Sequence, residues 1–467
     1  MRIFISVLSF ALIFGFIFHP GEPKTGLQFA VNFIKNNASL KYGQFGVHII
    51  NTSNDSVMAS LNPDLGLVPA SALKIITTAT ALEILGSEFR YETRLNYIGN
   101  YDSLNGILDG DLLIVGSGDP TFGSKHFKSK TDTIDILEKW VIALKKKGVR
   151  EIKGSVVADA SCFEAEMIPS TWIWADMGNY FGAGACGLNY HDNLFTVQFR
   201  SGETGTKTKI TGVVPFVPQL KLVNKVTAGG TGDNAFIYGS EYDNNRYITG
   251  TIPANKENFE IDGSLPDPAF FCAWSLDSML RKHGIKVSKE PMTLAYDHEE
   301  FKPKTFFISY SPPLKDVVHL TNRYSVNLYA ECLLKTTARK STGFGTNAAG
   351  CGKIAEFWQG KGINTAGMFQ NDGSGLSRWN TISAKHFTSI LKWMTQSKHF
   401  GIFYNSLPEQ GNGIRAKGGY ITRVRSYAGY LKRPDGEYIA FAMIMNNYTG
   451  TPKDARYLLE TLMLAIK

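Results

Sequence analysis

Cysteine is scarce in this chain, histidine is scattered, and charge never gathers into runs. Five cysteines (Cys162, Cys186, Cys272, Cys332 and Cys351) stand among 467 residues with no C-x-x-C pair. That pattern argues against a zinc site and a disulfide-dense scaffold, leaves room for one bridge, and fits small buried apolar side chains best. The nine histidines show no ligand spacing, and His298-Glu299-Glu300 has Lys302 where a zinc-protease helix needs its second histidine. The glycine-rich loop from Gly343 to Lys353 has Asn347 at the position of a phosphate loop's first glycine and is followed by Ile354 instead of Ser or Thr. Gly116-Ser117-Gly118 lacks the third glycine of a dinucleotide fingerprint, and Asp372 and Leu376 occupy the glycine positions of a nucleophile elbow around Ser374. The expectation is therefore no metal and no organic cofactor. Lys and Arg total 49 against 41 Asp and Glu, a formal charge of +8 that is dispersed along the chain. Such a surface suits anionic polymers or carboxylate-rich peptides; without a basic helix or stacking motif it does not suit nucleic acid.

Long apolar runs are also missing, with one exception. After Met1 and Arg2, the 16 residues from Ile3 to Phe18 are uncharged and mostly apolar, and His19-Pro20-Gly21 follows. That length is short for a membrane span and right for the apolar region of a signal peptide, so residues 1–20 predict export to the periplasm or cell envelope. An uncleaved anchor at the membrane surface is the alternative, because no small-x-small cleavage site directly follows.

At 43% apolar composition the 467-residue chain can bury a large core in two or three domains. Phe45, Val47 and Ile49 alternate as in a strand within 41–58, and a turn-rich stretch runs from Asn62 to Gly66. The run Ala72, Leu73, Ile75, Ile76, Ala79, Leu82, Leu85 then predicts a helix that begins near Pro69 and Ser71 and stops at Gly86. From Phe89 to about Glu290 the texture is of short strands and glycines, closed by a helix over 268–283. Helices are expected over 314–321, 324–337, 351–360 and 383–395. Strands over 425–431 and 438–445, joined by Arg433-Pro434-Asp435-Gly436, form a hairpin under a terminal amphipathic helix over 454–466.

Ser71 and Lys74 sit one helical turn apart and share a face. Flanked by Leu73, Ile75 and Ile76, Lys74 is expected to be desolvated, which lowers an ammonium pKa and frees the amine to take the serine proton. The helix N-terminus adds N–H donors where an oxyanion would develop. Taken alone, S-x-x-K is short enough to arise by chance, with Ser71 as a mere helix cap. Two more segments carry the case further. Ser325-Val326-Asn327 heads a helix and brings a hydroxyl and an amide, while Lys417-Gly418-Gly419-Tyr420 precedes the hairpin with a cation suited to a substrate carboxylate.

In this order the three segments resemble the active site of penicillin-recognising serine enzymes. The 253 residues between Ser71 and Ser325 imply a large insertion. That feature resembles the class C low-molecular-mass penicillin-binding proteins, which are D-Ala-D-Ala carboxypeptidases and endopeptidases (peptidase family S13, penicillin-binding protein 4 type). So do Gly110-Asp111-Leu112, 116–120, Trp172-Ile173-Trp174-Ala175-Asp176 and Asp372-Gly373-Ser374-Gly375-Leu376-Ser377-Arg378.

The resemblance implies an α/β (α+β) transpeptidase-like domain, with a central antiparallel sheet flanked by helices, formed by 21–88 and 291–467. An inserted domain would take 89–195 and 251–290, with a small β-rich domain over 196–250. It implies Ser71 as nucleophile, Lys74 as general base, Ser325 and Asn327 as proton relay and substrate-orienting amide, and Lys417, Gly418 and Gly419 as the third motif. The N–H groups of Ser71 and Tyr420 would form the oxyanion hole. Asp176, Phe181 and Arg378 match the positions that receive a diaminopimelate side chain, against the alternative of a structural ion pair between Asp176 and Arg378. Implied partners are peptidoglycan stem peptides and β-lactams.

One departure stands out. Where the family more often has Thr or Ser, Gly418 offers no hydroxyl, a loss of about 1 kcal/mol of carboxylate binding. A catalytically weak wall-binding or scaffold protein is the competing class that this motivates. A serine β-lactamase is a third, disfavoured by the insertion and by the text around Ser374.

Overall fold

The computed structural model describes residues 24–127, 134–294 and 303–466. The expected signal peptide over 1–20 and the 298–302 segment lie outside those residues. Among the described residues no helix is long and apolar enough to cross a membrane.

An antiparallel six-stranded sheet organises the body that holds both chain ends. Its order is Glu409–Gly411, Ile414–Ile421, Val424–Lys432, Tyr438–Asn446, Gln44–Asn51, Val57–Leu61. The first long strand of the chain thus pairs with the last, from Gln44 opposite Asn446 to Asn51 opposite Ile439. Both faces are buried, and the two-residue period of a strand sorts the side chains between them. Ile439, Phe441, Met443 and Met445 pack with Phe45, Val47 and Ile49 under the helices Lys24–Lys35 and Pro452–Leu464. Ala440, Ala442 and Ile444 face the helices Lys74–Leu85 and Ala384–Met394. Alanine on that face lets the helix Ala384–Met394 lie close to the sheet. Every residue from Lys74 to Leu82 is buried, as expected for a helix with no polar side. Two of its threonines spend their hydroxyls within the helix, Thr78 on the Lys74 carbonyl (2.7 Å) and Thr80 on the Ile76 carbonyl (2.8 Å), while Thr77 donates to the Gly373 carbonyl (2.7 Å).

The insertion is built on its own sheet, in which Glu92–Asp102 pairs antiparallel with both Ile107–Val115 and Lys304–Tyr310. The strand Met292–Leu294 pairs with Val156–Asp159 in the same sheet. The strands Met292–Leu294 and Lys304–Tyr310, expected in the peptidase domain, therefore pair with the insertion, and Ser311 bonds the Tyr91 carbonyl through its amide (3.0 Å). The small β-rich part is likewise wider than 196–250. Phe259–Ser264 pairs with Leu194–Arg200, so the two three-stranded sheets of this part run from 194 to 264.

The helix Ile136–Lys146 lies in a stretch that looked all-β. Its apolar residues Leu137, Trp140, Val141 and Leu144 recur at helical spacing behind the cap Asp135, so the signal was present. Cys186 and Cys272 are buried in the core of the insertion and Cys332 in the helical core of the peptidase body.

Candidate active site

Ser71 lies on a one-turn 3-10 helix, Ala70–Leu73, that runs into the helix Lys74–Leu85. The approach to it is clamped: the Asn446 amide accepts from Val68 N (2.8 Å) and donates to the Val68 carbonyl (3.0 Å), and Ser426 Oγ donates to the Pro69 carbonyl. Ala70, buried in the turn before Ser71, has a positive φ of 47°, a conformation alanine rarely adopts. Gly375 packs on that turn at φ +85°; a Cβ there would lie 1.9 Å from the Ala70 carbonyl oxygen, so only glycine fits.

The amine of Lys74 is fully buried and lies 3.0 Å from Ser71 Oγ. Its other neighbours are pure acceptors, Asn327 Oδ1 at 2.6 Å and the Ser374 carbonyl at 2.8 Å. A neutral amine has two N–H bonds and one lone pair, so with both N–H groups spent on those oxygens the lone pair faces Ser71. Burial brings the Lys74 pKa down to about 7, held from falling further by the negative charges of Asp372 and Glu331. Asn327 is oriented by its own amide, whose Nδ2 donates to the Phe181 carbonyl (2.8 Å) and turns Oδ1 toward Lys74.

Ser325 occupies a left-handed position (φ 60°, ψ 36°) between the helices Leu314–Tyr324 and Asn327–Thr342. This break, where a continuous helix from 324 was expected, turns Ser325 Oγ toward Lys417, whose Nζ donates to it at 2.9 Å and to the Gly418 carbonyl at 2.9 Å. Burial, reinforced by the charges of Lys74 and Arg425, pushes the Lys417 pKa well below that of an ordinary lysine. The two lysines thus sit beneath a cleft lined by Ser71, Ser325 and Asn327, all half-buried.

Lys417 to Tyr420 lie on the strand Ile414–Ile421, which touches the Ser71 turn. At Gly419 a Cβ would meet the Pro69 carbonyl oxygen at 2.6 Å and Ala72 N at 2.9 Å. The N–H of Ala416 donates to the Pro408 carbonyl (2.9 Å) and its carbonyl accepts from Gln410 (3.2 Å), so both point away from the strand Val424–Lys432. By the alternation of an antiparallel ladder, the N–H groups of Gly418 and Tyr420 point to the same open edge. Gly418 faces the other side of the sheet. A Cβ there would lie 3.0 Å from Cε1 of Tyr427, its partner across the strands, which fills the space a Thr or Ser would need.

Asp176, on the helical turn Trp174–Met177, Phe181 and Arg378 converge beside this cleft. Trp172 and Leu376 pack with Met177, Phe181 and Ile421 in one small apolar cluster. Asp176 and Arg378 are not the ion pair weighed above. Arg378 Nη1 donates to the Thr422 carbonyl (3.3 Å), while burial raises the Asp176 pKa more than the charge of Arg378 lowers it.

Two buried carboxylates shape the site: Glu331 escaped the sequence reading, and Asp372 entered it only as part of the 372–378 text. Glu331 accepts from Gly373 N and Ser374 N, each at 2.8 Å. Asp372 accepts from Gly375 N (2.8 Å), Ser377 N (2.6 Å), Asn380 Nδ2 (2.8 Å) and Trp172 Nε1 (2.9 Å). Together they fold the 372–378 loop so that the Ser374 carbonyl reaches Lys74. Glu331 lies four residues beyond Asn327, on the same helix face, which was the available signal.

Comparison with known proteins gives the family and the fold. The chain is 25% identical to a D-alanyl-D-alanine carboxypeptidase of Actinomadura sp. (strain R39), over 92% of this chain and 82% of that one. It is 24% identical to the D-alanyl-D-alanine carboxypeptidase DacB of Haemophilus influenzae, over 85% and 84%. Penicillin-binding protein 4 (dacB) from Haemophilus influenzae superposes with a TM-score of 0.74 at 23% identity, covering 88% of this chain and 92% of that one, so the fold is that of a penicillin-recognising serine hydrolase. Residues 27–462 match the D-Ala-D-Ala carboxypeptidase 3 (S13) family, and the chain belongs to that family of serine hydrolases.

Proposed function

We propose that this enzyme cleaves the terminal D-Ala-D-Ala bond of peptidoglycan stem peptides, or the D-centred cross-link between them, through an acyl-enzyme on Ser71. The observation that carries the reading is the buried Lys74 amine, 3.0 Å from Ser71 Oγ with acceptors on its other two sides. In this mechanism Lys74 takes the Ser71 proton as Oγ attacks the scissile carbonyl. The N–H groups of Ser71 and Tyr420 hold the oxyanion. Ser325, bonded to Lys417, relays the proton taken up by Lys74 to the departing amine, which returns Lys74 to its neutral form, and D-alanine or the cross-linked amine leaves. Water then attacks the ester with Lys74 again as base. A β-lactam acylates the same serine.

Asp176 and Arg378, with no bond between them, are assigned the ammonium and carboxylate of a zwitterionic side chain on the stem peptide, with Phe181 as the apolar wall. The catalytic body is assigned 24–91 and 311–466, the insertion the segment between, and the cell envelope is the site of action, supported by the apolar stretch from Ile3 to Phe18. Incubation with purified muropeptides, followed by intact-protein mass spectrometry, tests the reading. An acyl adduct and released D-alanine or cleaved dimer are expected, both absent in Ser71→Ala. No adduct and no cleavage by the wild type leaves the scaffold reading, and rapid turnover of penicillin with no peptide cleavage leaves the β-lactamase.

A further inference from the structure

On the face of the six-stranded sheet turned away from Ser71, four positions form a square across two strands: Gly418 opposite Tyr427, and Tyr420 opposite Arg425. The Arg425 guanidinium lies over both rings, 5.7 Å from the centre of Tyr420 and 5.4 Å from that of Tyr427. Gly418, the corner without a side chain, is on the open edge of the sheet, diagonal to Arg425 at a distance long side chains span. The glycine therefore does more than omit a hydroxyl. It omits the side chain that would press on the Tyr427 ring and stand on the diagonal between the edge of the substrate groove and a guanidinium.

That guanidinium is underused. It has five N–H donors, and among the described residues one hydrogen bond is formed, from Nη2 to the Tyr427 hydroxyl at 3.1 Å, with Nε buried and no acceptor for it. The nearby carboxylate of Glu460 is engaged elsewhere, accepting from Arg456 (2.7 Å) and from the Tyr427 hydroxyl (3.0 Å). Among the described residues no carboxylate forms an ion pair with Arg425 or with Lys417. The two cations bracket Gly418 from opposite faces of the edge strand, and the charge of Arg425 is felt at Lys417. Two cations flanking one strand edge with no protein anion between them form an arrangement that a substrate anion completes.

The geometry points to Arg425 as a second carboxylate anchor of the groove, which takes the free C-terminal carboxylate of a D-Ala-D-Ala peptide in place of the hydroxyl absent at Gly418. The assignment rests on the function proposed above and adds a specificity: the enzyme selects acyl donors by their terminal charge. It also offsets the loss of carboxylate affinity expected from Gly418.

Steady-state kinetics on a D-Ala-D-Ala peptide and on its C-terminal amide test this in wild type, Arg425→Gln and Arg425→Lys, with melting curves to verify folding. The wild type is expected to prefer the free acid. Arg425→Gln should cut the acid-to-amide ratio of kcat/KM by roughly 10- to 100-fold, the range for one hydrogen-bonded charge, and Arg425→Lys by less. An unmoved ratio overturns the assignment, and so does an equal loss on both substrates, which is the mark of a structural role. A wild type that ignores the terminal charge overturns it too. If the wild type forms no acyl-enzyme with either peptide, the parent reading fails and this one falls with it.

Discussion

Replacing Glu331 with glutamine removes a charge separated from the Lys74 amine by the backbone of one residue and two hydrogen bonds: Glu331 accepts from Ser374 N, and Lys74 donates to the Ser374 carbonyl, each at 2.8 Å. That path places the charges about 7 Å apart, where an effective dielectric near 20 gives an interaction of about 2 kcal/mol, or about 1.5 pH units on Lys74. Glu331 is itself pushed up to about 7 by burial and by Asp372, so it is only partly ionised where Lys74 titrates, and the expected shift is about one unit. The sign is fixed by the chemistry. Acylation needs the neutral amine, so kcat/KM rises with pH through the Lys74 pKa of about 7. Losing a negative neighbour destabilises the ammonium, so Glu331→Gln should move the acidic limb to lower pH. The assay is a profile of kcat/KM from pH 5 to 9 on a D-Ala-D-Ala peptide, with melting as a control, because glutamine leaves one of the two loop amides without its carboxylate acceptor at about 1–3 kcal/mol. A limb that stays put or moves upward refutes the coupling. One that vanishes assigns the titration to Glu331 and removes Lys74 from its role as base.

Gly375→Ala sets a Cβ 1.9 Å from the Ala70 carbonyl oxygen at a φ of +85°, so a stability loss above about 2 kcal/mol and a falling acylation rate are expected from melting and stopped-flow labelling. Gly418→Thr presses on the Tyr427 ring, with Cβ 3.0 Å from Cε1; in a fluorescent-penicillin titration it should gain no affinity until paired with Tyr427→Leu. Asp176→Asn and Arg378→Gln should each lower kcat/KM about tenfold on stem peptides with a zwitterionic third side chain. When that side chain carries an ammonium alone, only the Asp176 substitution should matter.

What the sequence made legible was local. The helix after Ser71 could be read because its apolar residues repeat every three or four positions, and the hairpin because Arg433-Pro434-Asp435-Gly436 is turn chemistry. The three motifs are short words on such elements, and they meet in space as their order implied. Long-range register was not legible. Lys304–Tyr310 looked like part of the peptidase body because nothing in its composition says that it pairs with Glu92–Asp102, some two hundred residues earlier. Ser325 was read into a continuous helix because periodicity does not report the one left-handed residue that breaks it. Gly418 illustrates the same limit at the site itself. As a letter in K-x-G it is only a missing hydroxyl, with a sign that points to weaker binding. Once the register sets it opposite Tyr427 and diagonal to Arg425, the glycine, the tyrosine and the arginine become one arrangement, in which the bulk of one side chain requires the absence of another. A motif departure is thus interpretable only together with the residues it faces across the sheet, and those are chosen by strand pairing, which no window of sequence contains.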